Sequence, residues 1–265
     1  MKHIFLTFLL VFLSLFSIYG VPLTASWVDG DVTMKVGSSW QEINTGDTVD
    51  SGTVVRVGSD SMAEFTSGSQ KVAFSSPGTY NLENLLKTGN VQEQKRSGVL
   101  NQLSRLVDKQ APRSTVVAGV RGDFEGNSDK TEWAVDENDP QTLADEGQKL
   151  LASKKYADAA ASFGDAAAQA LGDQRDEYRY NQAWCLAMSD NLIAAIKILR
   201  PMNASGPYSI PRGILLARLS LDTGAPKEAA SLLDEISANP SLVGDDAALV
   251  KQMKEEAAKA IGAIK

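Results

Sequence analysis

The sequence predicts an α+β protein with two folded domains, in which a small all-β domain precedes an α-helical solenoid. From residue 27 to about residue 86, apolar and polar residues alternate between turns rich in Gly, Ser and Asp, as they do in short strands. From residue 141 onward, apolar residues recur with a helical period, and the pattern repeats along the chain. The length of 265 residues is sufficient for two modest domains.

The first 20 residues are typical of a secretory signal peptide. Lys2 begins it, and residues 4–19 are almost wholly apolar, slightly short of the roughly 20 residues that a membrane span needs. Cleavage after Gly20 would leave the first predicted strand whole; cleavage after Ala25, or retention as an anchor, is the alternative. No Cys lies near the junction, so we expect no lipid anchor. The sequence therefore predicts a periplasmic or otherwise exported protein, without a stable membrane span after cleavage.

The composition argues against several classes of function. A net charge of −7 disfavours nucleic acid and anionic lipid as the main partner, since both require clustered Lys and Arg. The one His, His3, lies in the predicted signal, which excludes histidine acid–base catalysis, Ser-His-Asp or Cys-His nucleophiles and His-ligated zinc. The one Cys, Cys185, lies in an apolar helical run and is expected to be a buried hydrophobe. We expect no catalytic residues, no metal site and no cofactor.

An ordered set of residues between positions 25 and 86 resembles the FecR-type domain. That family has a GDV strand, then a W…GD…G stretch, an S-x-A-x-L/F strand and a Gly-Ser turn. The resemblance implies a small β domain that serves as a periplasmic binding module. The residues that carry it are 28–32 (VDGDV), Trp40, 46–47 (GD), 51–52 (SG), 54–57 (VVRV), 60–65 (DSMAEF) and 68–69 (GS).

A later segment, residues 114–122 (STVVAGVRG), resembles the GVRG strand of the same family. Asp123 stands where the family usually has Thr, and the family's later β half has no counterpart, so we expect a shortened β domain over residues 21–126. Arg121 is a candidate ligand contact of this domain; a structural ion pair is the alternative. The best-known relatives carry a membrane helix and a sigma-factor-binding segment without counterparts here, so we do not carry over their role in iron-uptake signalling.

Two further segments are predicted, a helix within the β domain and a linker that follows this domain. Apolar residues at helical spacing predict an amphipathic helix over about residues 98–110, packed on the β-sheet. Residues 127–139 are polar and acidic, which predicts a linker. Asp139 is a predicted helix cap, with Pro140 at the first helical position.

Three stretches within residues 140–265 are similar to tetratricopeptide repeats. A small residue recurs at Ala159, Ala195 and Ala229, in steps of 36 and 34 residues, close to the repeat length of about 34. Residues 241–265 are predicted to form a terminal helix that caps the array. The three sets are Gly147, Tyr156, Ala159, Phe163 and Ala166; Ala183, Leu192, Ala195, Leu199 and Met202; and Gly224, Pro226, Ala229, Leu233 and Ile236.

Together, the two resemblances imply a binding protein of the envelope rather than an enzyme. The leading hypothesis is a scaffold whose β domain docks on an envelope component and whose repeats bind a protein or peptide segment. The alternative is carbohydrate or peptidoglycan binding by the β domain, with Trp27, Trp40 and Tyr80 as stacking rings. A hydrolase based on paired carboxylates is the third possibility. The candidate partner contacts on the repeats are Lys149, Arg179, Asn181, Gln182 and Arg218.

Overall fold

Two four-stranded antiparallel sheets and eight helices form the part of the chain that the structure, a computed structural model, describes, namely residues 21–108 and 139–263. The mixed α+β class predicted from the sequence is therefore confirmed. Within the described residues the chain divides into two compact units. The first holds residues 21–95 and 220–228, and the second holds residues 96–108, 139–219 and 229–263.

The chain passes back and forth between the two sheets, and two pairs of consecutive strands, the second with the third and the sixth with the seventh, each lie in one sheet. The first sheet has the order β4-β1-β6-β7 and the second has the order β3-β2-β5-β8. The strands are β1 (Pro22–Asp29), β2 (Val32–Val36), β3 (Ser39–Glu42), β4 (Thr48–Asp50), β5 (Val54–Val57), β6 (Met62–Ser67), β7 (Gln70–Phe74) and β8 (Gly78–Asn81).

One apolar cluster draws side chains from both sheets. Leu23 and Ala25 alternate with exposed residues along β1, so every second side chain enters the core. Val55 contributes from the other sheet, and Phe65 packs edge-on against Phe74 at 6.0 Å between ring centroids. Side chains from both sheets therefore form the core of the β domain.

The corner between β1 and β2 depends on Gly30 and Ser61. Gly30 has a φ of +84°, and a Cβ at this position would overlap the Ser61 side chain, so only glycine fits. The Ser61 hydroxyl accepts a hydrogen bond from the Asp31 amide at 2.8 Å and donates one to the Ser59 carbonyl at 3.1 Å. Asp31 and Ser61, which are 30 positions apart in the sequence, are therefore joined by a hydrogen bond at this corner.

The helices are packed mostly against their neighbours in sequence, α2 against α3, α3 against α4 and α4 against α5. None of the helices in the described residues is long and apolar enough to cross a membrane. The helices are α1 (Leu82–Asp108), α2 (Pro140–Ala152), α3 (Tyr156–Gln169), α4 (Gly172–Met188), α5 (Leu192–Leu199), α6 (Ser209–Asp222), α7 (Pro226–Ser237) and α8 (Gly244–Ala263).

The predicted start of the helical region is confirmed. Asp139 caps α2, since its carboxylate accepts hydrogen bonds from the amides of Gln141 and Thr142, and Pro140 occupies the first turn. The predicted signal peptide, the GVRG segment with Arg121 and residues 127–138 of the predicted linker lie outside the described residues.

Helix α1 differs from the expectation in length and in packing. It begins at Leu82 rather than near residue 98, and it ends at Asp108. Residues 96–108 group with the helical unit rather than with the sheets. Two side chains of that unit, Gln148 and Trp184, donate hydrogen bonds to carbonyl groups of this half of the helix. The helical period predicted the buried face correctly but could not identify what covers it.

Helices α2 and α3 approach each other closely where Gly147 of α2 faces the aromatic ring of Phe163 on α3. A Cβ at Gly147 would lie 3.0 Å from the ring of Phe163, which is fully buried. Ala159, one turn earlier on α3, is also fully buried. Small residues are therefore required where these two helices meet.

We expect Gly147→Val to destabilise the protein by about 1–3 kcal/mol, because the added side chain forces the Phe163 ring out of its packed position. Gly98→Val is the matched control. It replaces a helical glycine that has nothing within 4 Å of its Cβ position, so the change is expected to stay within about 0.5 kcal/mol. Urea denaturation followed by circular dichroism measures both. Equal effects at the two positions would contradict the proposed close contact.

Candidate functional site

The candidate site within the described part of the second unit is the surface of α2, α4 and α8 that contacts residues 96–108. We call these residues of α1 the docked segment, and we call the side that they contact the acceptor surface. The docked segment has Val99, Leu100, Leu103 and Val107 on one face, each 5% exposed or less. Apolar residues at this spacing form a continuous stripe along a helix.

Two polar side chains of the acceptor surface bind the backbone of the docked segment. The indole N–H of Trp184 donates to the Leu100 carbonyl at 3.1 Å, and the amide of Gln148 donates to the Val107 carbonyl at 3.2 Å. A helical carbonyl has a second lone pair for such a bond. The Tyr156 ring lies edge-on to Trp184 at 6.0 Å and helps to fix the indole. These contacts place the segment without depending on its side chains.

Ionic contacts lie near both ends of the docked segment. Arg96 bonds to the Asp190 carboxylate at 2.6 Å. Arg105 pairs with Asp246 and lies 3.9 Å from the Asp245 carboxylate. Both aspartates of the second group belong to the first turn of α8, where the helix dipole favours negative charge. Because these pairs are partly exposed, they orient the segment more than they stabilise it.

A pocket of about 380 Å³ remains beside the docked segment. Asn101 and Ser104 of the segment face it, while Leu151, Tyr156 and Trp184 are among the residues that line the other side. Ser104 donates its hydroxyl hydrogen bond to the Asn101 carbonyl of its own helix, at 2.8 Å. The docked segment therefore leaves part of the acceptor surface unfilled.

The partner contacts predicted on the repeats have different environments. Lys149 is exposed, and Arg179 and Gln182 are half-buried. Gln182 packs on α3, where a Cβ at Gly164 would lie 2.5 Å from its side-chain nitrogen. Asn181 is fully buried. Only the first three retain area that a partner can contact.

Arg218 is a structural residue, and its interpretation as a partner contact is corrected. It is 1% exposed, and its guanidinium forms two hydrogen bonds to the Glu256 carboxylate of α8, at 2.9 and 3.2 Å. Arginine is the residue best suited to such a two-point pair. The sequence suggested exposure because arginine is seldom buried without a partner, and the partner lies on a distant helix.

The aromatic residues proposed for the β domain differ in their availability. Trp27 is half-buried and pairs with Glu64 in the β1–β6 register. Trp40 is also half-buried, and the Arg56 guanidinium lies 3.8 Å above its ring. Tyr80 packs against the apolar core, with its ring 4.4 Å from Phe74, and its hydroxyl donates to the backbone. Burial raises the pKa of the Tyr80 phenol, which is consistent with a packing role.

The described residues contain no group of three or more His, Cys, Asp or Glu side chains arranged to hold a metal ion. Cys185 is fully buried in α4, and burial raises the pKa of its thiol to about 12. The prediction that it packs as a small hydrophobe is confirmed.

Comparison with protein-family models, with curated proteins and with solved structures finds no match to this chain. The resemblances to the FecR-type domain and to tetratricopeptide repeats therefore remain predictions from the sequence.

We expect Arg218→Ala to destabilise the protein by about 3–5 kcal/mol, because it removes both hydrogen bonds of the guanidinium to the Glu256 carboxylate at a largely buried position. Lys254→Ala is the control, since it removes the exposed pair with Asp234 and should cost no more than about 1 kcal/mol. Urea denaturation measures both variants. A change of less than 1 kcal/mol for Arg218→Ala would show that the buried pair is not structural.

We expect Cys185 to resist alkylation in the folded protein. Near pH 9, with a pKa of about 12, only on the order of 1 in 1000 thiols is ionised, and the thiolate is the reactive form. The same thiol should react readily once urea unfolds the chain. Mass spectrometry after timed exposure to iodoacetamide measures both rates, and similar rates in the two states would contradict the buried environment.

Proposed function

We propose that this chain is a non-catalytic, exported binding protein of the cell envelope, with helical repeats that bind a partner protein and a FecR-like β domain that docks on an envelope component. The observation that carries the proposal is the acceptor surface, which holds an amphipathic helix through an apolar stripe with polar contacts around it. Helical grooves recognise partner helices in the same manner.

The arrangement of the helical region supports a repeat protein. Helices α2, α3 and α4 each pack on the next helix along the chain, as helices do in a solenoid. The small residues that recur in the sequence, Ala159, Ala195 and Ala229, are all fully buried. This is expected where the two helices of a repeat cross closely.

Burial in the first strand supports removal of a signal peptide after Gly20. Leu23 and Ala25 of β1 are fully buried in the core of the β domain. Cleavage after Ala25 would remove both side chains and four residues of the strand, Pro22 to Ala25. Cleavage after Gly20 leaves β1 whole, so of the two candidate junctions it is the one compatible with an intact β domain.

Glycan binding through the β domain is less well supported. Arg56 covers one face of the Trp40 ring, and the Tyr80 ring packs against the core. A sugar stacks on a free aromatic face, so these two rings offer less surface than the sequence suggested. Trp27 is half-buried.

Site-specific photocrosslinking in intact cells tests the proposal. A photoreactive residue at the exposed Lys149 should capture one defined envelope protein, and the same residue at the exposed Lys35 of β2 is the control. Asp246→Lys in the acceptor surface should reduce the captured amount at least tenfold. Asp234→Lys, at an exposed carboxylate of α7, should not. Capture of glycan alone from positions 40 and 27 would favour the alternative instead.

A further inference from the structure

We propose that the acceptor surface is the binding site for a cationic amphipathic helix of the partner and that the docked segment of α1 occupies this site as an intramolecular competitor. The inference rests on the proposed function and identifies the class of partner. In this arrangement the protein binds its partner only to the extent that the docked segment is displaced.

The chemistry of the occupied surface defines the helix that fits it. Carboxylates lie near both ends, at Asp190 and at Asp245 with Asp246, and an apolar surface lies between them. A matching helix needs cationic residues nine positions apart, as Arg96 and Arg105 are, and apolar residues on the face between them. Such a helix complements the acceptor surface in charge as well as in apolar pattern.

The docked segment is an imperfect ligand for this surface. Asn101 and Ser104 lie beside the pocket of about 380 Å³, which is lined partly by Leu151, Tyr156 and Trp184. A helix with a larger apolar residue in place of Ser104 would fill space that the segment leaves open, and it would bury more apolar surface. An external helix can therefore bind the acceptor surface with a higher intrinsic affinity than the docked segment does.

The docked segment also has features that make it displaceable. Gly98, near its beginning, is a poor helix former with nothing within 4 Å of its Cβ position. Arg105, near its end, forms ion pairs that are partly exposed and open to screening by salt. Attachment to the same chain favours the docked position in addition to these contacts, because it gives the segment an effective concentration on the order of millimolar at the acceptor surface.

Fluorescence anisotropy with a labelled peptide of residues 95–108 tests the proposal on the full chain. The wild-type chain should bind this peptide weakly, because its own segment occupies the surface. The variant Leu103→Asp, which weakens docking of the segment, should bind at least tenfold more tightly, and so should the milder Arg105→Glu. Ser97→Asp, at an exposed position of the same helix, is the matched control and should behave as wild type.

Two further measurements identify the site. A peptide carrying Ser104→Leu should bind the Arg105→Glu chain at least threefold more tightly than the native peptide does, because it fills the pocket. Adding Asp246→Arg to the Arg105→Glu chain should weaken the binding of the native peptide at least tenfold. A peptide with Glu in place of Arg105 should regain this affinity for the double variant, because its carboxylate pairs with the new arginine.

The proposal is overturned if Leu103→Asp and Arg105→Glu both retain their helical circular dichroism and bind the peptide no more tightly than Ser97→Asp. It is equally overturned if both variants lose helical structure, since the segment would then be a permanent part of the core. In either case the crosslink from Lys149 still tests the proposed function, because it captures a partner that binds within reach of this exposed side chain whether or not the docked segment moves.

Discussion

The docking of residues 96–108 on α2, α4 and α8 is the contact on which the candidate site depends. Its apolar stripe removes Leu100, Leu103 and Val107 from solvent, and burial of this kind is the main driving force for packing helices together. The Trp184 indole needs a hydrogen-bond partner once it is buried, and the Leu100 carbonyl supplies it. One short segment therefore satisfies both the apolar and the polar requirements of three other helices.

The same contact constrains how the chain can bind other molecules. Under the proposal, a partner has to compete with the docked segment, because a surface that already holds a helix presents little free apolar area. The ion pairs of Arg96 and Arg105 make that competition sensitive to charge. The pocket next to Ser104 makes it sensitive to shape. Recognition and regulation would then be properties of one surface.

Other buried residues of the helical region fix how the helices pack against each other. Arg218 and Glu256 join α6 to α8 through two hydrogen bonds, and Gly147 lets α2 approach the Phe163 ring on α3. A buried pair of this kind tolerates few alternative arrangements, because separating it leaves a charge without a partner. These groups fix how the helices pack and leave recognition to the more exposed residues.

Local patterns in the sequence were sufficient for the fold class, for most of the core and for the start of the helical region. The period of two placed Val72 and Phe74 on one face of β7, and both are buried, while Asp139 with Pro140 marked the first residues of α2 correctly. These features depend on residues close together in the chain, where spacing and capping chemistry act directly.

Only the tertiary structure decided what covers α1 and which polar residues are available to a partner. Arg105 meets Asp246 across 141 residues of sequence, and Arg218 meets Glu256 across 38. A charged residue looks the same in a sequence whether it faces water or a buried carboxylate, because the difference lies in its distant neighbour. The sequence alone therefore determined the elements and their apolar faces, and the packing of those faces determined the candidate site.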